Sequence, residues 1–196
     1  MEELIVIYDK EKRDRGRDAY IRAIKKQIPG VRVADVANLP EVRRSELLVL
    51  KPMNDVDYET LKTFLKYNSG RDIEGIGSGK LTITAEAIIR VIGPVDKKTV
   101  VIINQSDVLG RPLAKELIER GANVISLNSS YPCIDNLLTM TDIDVLVSAS
   151  GQGDFEMDRE LTRMIDVKID LSNDLEDPIK ITSVPTIEVL KDRLKS

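Results

Sequence analysis

Four short segments of this 196-residue chain combine small hydrogen-bonding side chains with a position just after an apolar run. They are Asn104-Gln105-Ser106-Asp107, Asn128-Ser129-Ser130, Ser150-Gly151-Gln152-Gly153 and Ser172-Asn173. Hydroxyl, amide and backbone N–H groups in such turns can hold phosphate and ribose oxygens. In an open parallel sheet, ligands bind outside the carboxyl ends of the strands, where turns of this kind stand. The first segment precedes a stretch of helical spacing, where free N–H groups and the helix dipole favour an anion. Pro112 suits the first turn of that helix, where no donor is needed. Ser, Asn and Asp are also the ordinary residues of turns, so composition leaves both readings open. Neither a G-x-G-x-x-G nor a P-loop is present.

Composition removes many other chemistries. With no His, the chain has no Ser-His-Asp triad, no imidazole base and no His-ligated metal. A single cysteine, Cys133, excludes an internal disulfide and an all-Cys zinc site, and it suits a reducing cytoplasm. The net charge of −4, the absence of Trp and a total of seven Phe and Tyr argue against nucleic acid as a partner. MEELIVIYD is no signal peptide, and no apolar run approaches a membrane span.

These turns need elements to position them. LIVIYD (4–9) reads as a buried strand, followed by the charged stretch KEKRDRGRD (10–18), read as solvated loop and helix start. AYIRAIKKQI (19–28) has helical spacing and stops at Pro29-Gly30. VRVADV (31–36) and ELLVLKP (46–52) read as strands, and DYETLKTFLKY (57–67) as a helix. The glycines of IEGIGSGK (73–80) mark the best internal boundary. A helix over 81–93 would take Thr84 as its N-cap. Beyond it, strands at 99–103, 123–127, 144–150 and 167–172 alternate with helices at 108–120, 133–140, 158–164 and 186–194. Such alternation with wholly apolar strands predicts an α/β fold on a parallel sheet covered on both faces.

The order of residues in the first segment carries more than its composition. TVVII is followed by Asn104-Gln105-Ser106-Asp107-Val108-Leu109-Gly110-Arg111-Pro112. This resembles the V-I-G-R-S-x-x-V-G-x-P signature of the methylenetetrahydrofolate dehydrogenase/cyclohydrolase family. Five further blocks keep the family's order. LVLKPM (48–53) is similar to V-Q-L-P-L-P, GRDIEG (70–75) to K-D-V-D-G, and LTITAEAII (81–89) to the P-C-T-P-x-G-x-x-x-L helix entry. IDLSN (169–173) is similar to I-D-V-G-I-N, and ITSVP (181–185) to I-T-P-V-P.

The resemblance implies two α/β lobes. A pterin lobe would span 1–82 with 186–196 folding back onto it, and a Rossmann-like lobe over 83–185 would hold NAD or NADP. It also implies a small-molecule folate substrate, no membrane or nucleic-acid partner, and a homodimer formed through the second lobe. Tyr20 would pack on the pterin and Glu74 would hydrogen-bond it. Ser106, Asn128 and Ser129 would meet the cofactor's phosphates and ribose, with Ser150 and Gly151 near its nicotinamide. Asn104, Gln105, Ser130 and Asn173 complete the cofactor-binding candidates. The family's dehydrogenase moves a hydride from methylene-tetrahydrofolate to nicotinamide, which mainly demands positioning.

The departures are equally informative. In the family's S-x-x-Y-V-x-x-K helix, Arg17 stands for Ser, Tyr20 is kept and Ile24 replaces Lys. Lys25 comes one residue late, turned ~100° around a helix. The Gln of V-Q-L-P-L-P is Leu50, and the Gly-rich stretch after I-T-P-V-P is missing. The cyclohydrolase step needs that Lys and its Gln partner, so it is expected to be absent or weak. Lys51 is the candidate substitute at a strand end, or simply a solvated lysine. Gln105 lacks the guanidinium fork suited to an NADP 2′-phosphate, which makes NAD plausible. Relatives of this family often carry a His at the position of Asn128 and another after K-D-V-D-G, so the missing histidines fall in the same loops as the other departures. A non-catalytic dinucleotide- or pterin-binding relative is the alternative reading.

Overall fold

The structure is a computed structural model that describes residues 3–39, 45–140, 142–152, 155–181 and 184–195. It divides into two compact units, Met1–Ile83 with Thr186–Ser196, and Thr84–Pro185. Each is a parallel α/β sheet.

The first unit is built on β1 (Leu4–Tyr8), β2 (Arg32–Asp35) and β3 (Glu46–Val49), in the order β2-β1-β3. Val6 pairs with Val33 on one side and with Leu48 on the other. The four residues Leu4 to Ile7 are all buried, which is why β1 shows no polar alternation. Asp72 extends this sheet in parallel beside Leu47, with the Ile73 N–H donating to the Leu47 carbonyl at 3.1 Å. Helix α1 (Arg15–Gln27) begins four residues earlier than the spacing from Ala19 predicts. The reason is its cap: Asp14 accepts the Arg17 N–H at 2.6 Å, so part of the charged run becomes the first helical turn. Arg17 within that run is buried, and its guanidinium donates to the carbonyls of Asp9 (2.8 Å) and Pro52 (3.3 Å). Helix α2 (Asp55–Tyr67) buries Tyr58, Leu61 and Leu65.

The second unit opens with α3 (Ile83–Ile92). Thr84 is therefore inside the first turn and is not the N-cap. The sheet consists of β4 (Thr99–Ile103), β5 (Asn123–Leu127), β6 (Val145–Ser148) and β7 (Val167–Asp170), in the order β5-β4-β6-β7. Helix α4 (Gly110–Glu119) starts two residues later than expected and ends at Gly121, whose φ of 84° no side chain adopts cheaply. On one face of the sheet, Val101, Ile103 and Leu146 pack with Ile134 and Leu138 of α5 (Ile134–Met140) and with Met157 and Ile165 around the short α6 (Arg159–Thr162). The last helix, α7 (Val184–Arg193), buries Ile187, Val189 and Leu190, and belongs mostly to the first unit. Among the described residues no helix is long and apolar enough to cross a membrane.

Candidate functional site

In the second unit the chain runs from β4 to β5 on one side and then back past β4 to β6. The switch point, where α/β sheets take their ligands, is therefore at the carboxyl ends of β4 and β6. Asn104 stands there. Its Oδ1 accepts the Ser106 N–H (2.9 Å), the Ser106 hydroxyl (2.7 Å) and the Gly110 N–H (2.9 Å). Its Nδ2 donates to the Ala149 carbonyl at the end of β6 at 2.7 Å. This corrects the expectation that the N–H groups before α4 are free for phosphate. Two of them are already held, because an amide oxygen at the strand end reaches them first.

Gly110 is fixed by space. A Cβ on it would lie 1.9 Å from the Asn104 carbonyl oxygen. The start of α4 thus meets the end of β4 at backbone contact, the close approach that dinucleotide-binding turns use glycine for. Gln105 is exposed and donates to the Ser126 carbonyl at 2.9 Å. It shares a groove of about 560 Å³ with Arg111, Lys115 and Ile118. The Arg111 guanidinium has no partner among the described residues.

The other expected residues also stand beyond strand ends. Asn128 folds its Oδ1 onto the N–H and hydroxyl of Ser130, both at 3.0 Å, and Ser129 between them is half-buried. Ser150, after β6, donates its hydroxyl to Asp174 at 2.9 Å and its N–H at 3.2 Å. The Ser148 hydroxyl reaches the same carboxylate at 2.5 Å. Gly151, at φ 69°, donates to the Ser172 hydroxyl oxygen at 3.0 Å. Asn173 is exposed, at φ 66°. Gly153 and the residues Thr182 and Ser183 of ITSVP lie outside the described residues. Asn104, Ser150 and Gly151 thus share the switch-point region, while Asn128, Ser129 and Ser130 stand one strand away, at β5. Asp174 escaped the sequence reading. Its only signal is a carboxylate four residues past the end of a buried strand.

The first unit holds a buried polar cluster. The Tyr20 hydroxyl is buried beside the Thr186 hydroxyl of α7, and neither meets a partner at full hydrogen-bond geometry. Burial, and then the nearby Glu74 carboxyl, push the Tyr20 hydroxyl's pKa upward, so the phenol stays protonated. Glu74 is 7% exposed. Burial pushes its carboxyl up to about 8, against the opposing pull of Arg193 and a hydrogen bond from the Ile83 N–H at the start of α3. Arg193 donates to the carbonyls of Ile73 (2.7 Å), Glu74 (3.3 Å) and Leu81 (2.5 Å). Asp72 organises the same loop from within, accepting the N–H groups of Gly75, Gly77 and Ser78, each at 2.8 Å. A neutral acid beside a neutral phenol, on a loop pinned by Arg193 and Asp72, can donate as well as accept hydrogen bonds.

The remaining candidates separate. Ile24, at the position of the family's lysine, is wholly buried. Lys25 is exposed, and Leu50 is buried at the glutamine position. The Lys51 ammonium lies 3.9 Å from the centre of the Tyr58 ring, at the end of β3. Arg193 could not be found from sequence, since nothing local marks a helix-terminal arginine as a loop anchor.

The sequence model described as the tetrahydrofolate dehydrogenase/cyclohydrolase NAD(P)-binding domain matches residues 79–181, which is 103 of 196. The chain belongs to the tetrahydrofolate dehydrogenase/cyclohydrolase family. The match places the family's NAD(P)-binding domain on the second unit. A bifunctional FolD protein of Dictyoglomus thermophilum is 26% identical over 163 residues, covering 76% of this chain and 56% of that protein. One from Lactobacillus helveticus is 38% identical over 73 residues, 35% of this chain and 25% of that one. The chain thus spans about half the length, or less, of these curated relatives. Among solved structures, the NAD-dependent 5,10-methylenetetrahydrofolate dehydrogenase of Saccharomyces cerevisiae has a similar fold. Its TM-score is 0.72 at 16% identity, covering 99% of this chain and 86% of that one. The Trypanosoma brucei methylenetetrahydrofolate dehydrogenase-cyclohydrolase, solved with NADP and an inhibitor, gives 0.71 at 18% identity over 98% and 85% of the two chains. The α/β fold expected from strand–helix alternation, in the two lobes that the resemblance implies, is the family's fold.

Proposed function

We propose that this chain is an NAD(P)-dependent 5,10-methylenetetrahydrofolate dehydrogenase-like oxidoreductase of one-carbon metabolism, with cyclohydrolase activity lost. The observation that carries the reading is the buried Tyr20–Glu74 pair in a member of this family whose second unit has its NAD(P)-binding domain. The dinucleotide fits the residues present: Gly110 lets α4 start in backbone contact with the end of β4, the close strand–helix approach of dinucleotide-binding turns, and Gly151 beyond β6 leaves open space at the same switch point of the sheet. When bound, the cofactor accepts the hydride. The chain's own residues bind and orient. Ser129 offers a hydroxyl donor, Ser106 and Ser150 offer hydroxyl oxygens whose protons are held by Asn104 and Asp174, Gly151 offers an open backbone, and Tyr20 and Glu74 hold the pterin, Glu74 by a hydrogen bond from its neutral carboxyl.

Loss of the cyclohydrolase is supported by Ile24 and Leu50. Both are buried apolar groups at the positions of the lysine and glutamine that move protons in that step. Incubation with methylene-tetrahydrofolate and NAD or NADP should reduce the cofactor, followed by its absorbance, while hydrolysis of methenyl-tetrahydrofolate stays at the uncatalysed rate. Thermal stabilisation by a dinucleotide without reduction would favour the binding-module reading. No stabilisation by either dinucleotide would remove both. A homodimer and a cytoplasmic location belong to the same reading, and sedimentation of the purified chain tests the first.

A further inference from the structure

The charges of helix α1 and its approach are uneven. Residues 10–26 contain eight Lys or Arg and three acids, a local net of +5 in a chain whose total is −4. A cavity of about 350 Å³ lies against this segment, between α1 and β2. Tyr8 and Val33 give it an apolar wall, Lys10, Arg13, Arg22 and Lys25 give it cations, and Asp18 lines it with one carboxylate. Lys10 is paired with Asp35 at 3.1 Å, and Arg17 with Asp18 at 3.1 Å. Arg13, Arg22 and Lys25 have no ion pair or hydrogen-bonded side-chain partner among the described residues. Three unpartnered cations around one concavity repel one another, and a shared counter-charge relieves that repulsion.

The cavity is separate from the Tyr20–Glu74 cluster. At ~100° per residue, the buried stripe of α1 runs through Arg17, Ile21 and Ile24. Arg22 and Lys25 are turned to one flank of that stripe, and Tyr20 to the other.

We infer that this cavity binds a small, compact anion carrying three or more negative charges, such as a short polyphosphate or a tricarboxylate. Arg13 and Arg22 would clamp it with their planar forks and Lys25 would add a point charge. The volume is at the lower end of small-molecule sites and suits such a ligand.

Titration calorimetry of the full chain with sodium tripolyphosphate and, separately, with citrate tests this. Binding of one or both is expected, weakening as salt rises. Tripolyphosphate alone would identify phosphate as the source, and citrate as well would identify charge count as the criterion. Each of Arg13→Ser, Arg22→Ser and Lys25→Ser should weaken binding roughly fivefold to tenfold. All three residues are exposed, so urea unfolding should be unchanged. The matched triple Lys12→Ser/Arg15→Ser/Lys26→Ser removes the same charge from the same segment but not from the cavity wall. Equal weakening by this triple and by the combined Arg13→Ser/Arg22→Ser/Lys25→Ser would reduce the effect to diffuse electrostatics and overturn the site. Displacement of the anion by saturating NADP, or no binding of either probe, would overturn it too.

Discussion

Replacing Glu74 by Gln should abolish a specific pH dependence of stability. The Glu74 carboxyl is buried and titrates at about 8, against an ordinary value of 4.5 in the unfolded chain. Between those two pH values the folded protein keeps the proton and the unfolded chain loses it. Stability therefore falls as pH rises through this window, by ~1.4 kcal/mol per unit for this one group. The full window amounts to about 5 kcal/mol, complete above pH 8 and absent below pH 4.5. Gln keeps the size and the acceptor for the Ile83 N–H but carries no titrating proton. Urea unfolding of wild type and Glu74→Gln, at half-unit steps from acid to mildly alkaline pH, isolates the group because every other titration cancels in the difference. The stability advantage of the variant should be near zero in acid and grow steadily to its plateau. Parallel profiles would show that Glu74 is ionised in the folded state, with Arg193 outweighing burial, and would refute the picture of a neutral donor.

Other outcomes follow from single contacts. Gly110→Ala pushes a methyl group into the Asn104 carbonyl and should cost about 2 kcal/mol or more while abolishing dinucleotide binding, read by urea unfolding and calorimetry. Arg193→Met removes the donors of three loop carbonyls and should destabilise the first unit by about 3 kcal/mol or more, seen as a lowered urea midpoint. Arg111→Gln removes the free guanidinium beside Gln105. If NADP is held there, its affinity should drop about tenfold while NAD affinity is unchanged. Ile24→Lys puts an ammonium into a fully buried position and should cost about 3 kcal/mol or more, measured in the same unfolding assay.

Much of this was legible in the residues. Runs such as TVVII and DVLVS can only be strands covered on both faces, and the small polar residues after them had to stand at strand ends. What the sequence hid were long-range partners. The Asp14 cap drew Arg15 to Asp18 into α1, so the run read as solvated loop and helix start turned helical early and buried Arg17. Asn104 reads as a ligand donor, yet its amide is spent on Ser106, Gly110 and Ala149. Asp174 and Arg193 matter through contacts 24 to more than 100 residues away, at Ser150 and Leu81, and no local pattern records such contacts.

The first unit is split in the chain, its sheet made before residue 84 and its closing helix after residue 185. On the ribosome, the loop that carries Glu74 is therefore synthesised more than a hundred residues before the arginine that pins it. The second unit, continuous in sequence, can complete its own sheet in that interval, since its strand pairs are all internal. Chains stalled or clipped ahead of Arg193 would keep a folded dinucleotide-type domain attached to an open, unanchored partner. Proteolysis of nascent chains should accordingly cut within the Gly-rich loop first, and that cutting should stop only when α7 has emerged.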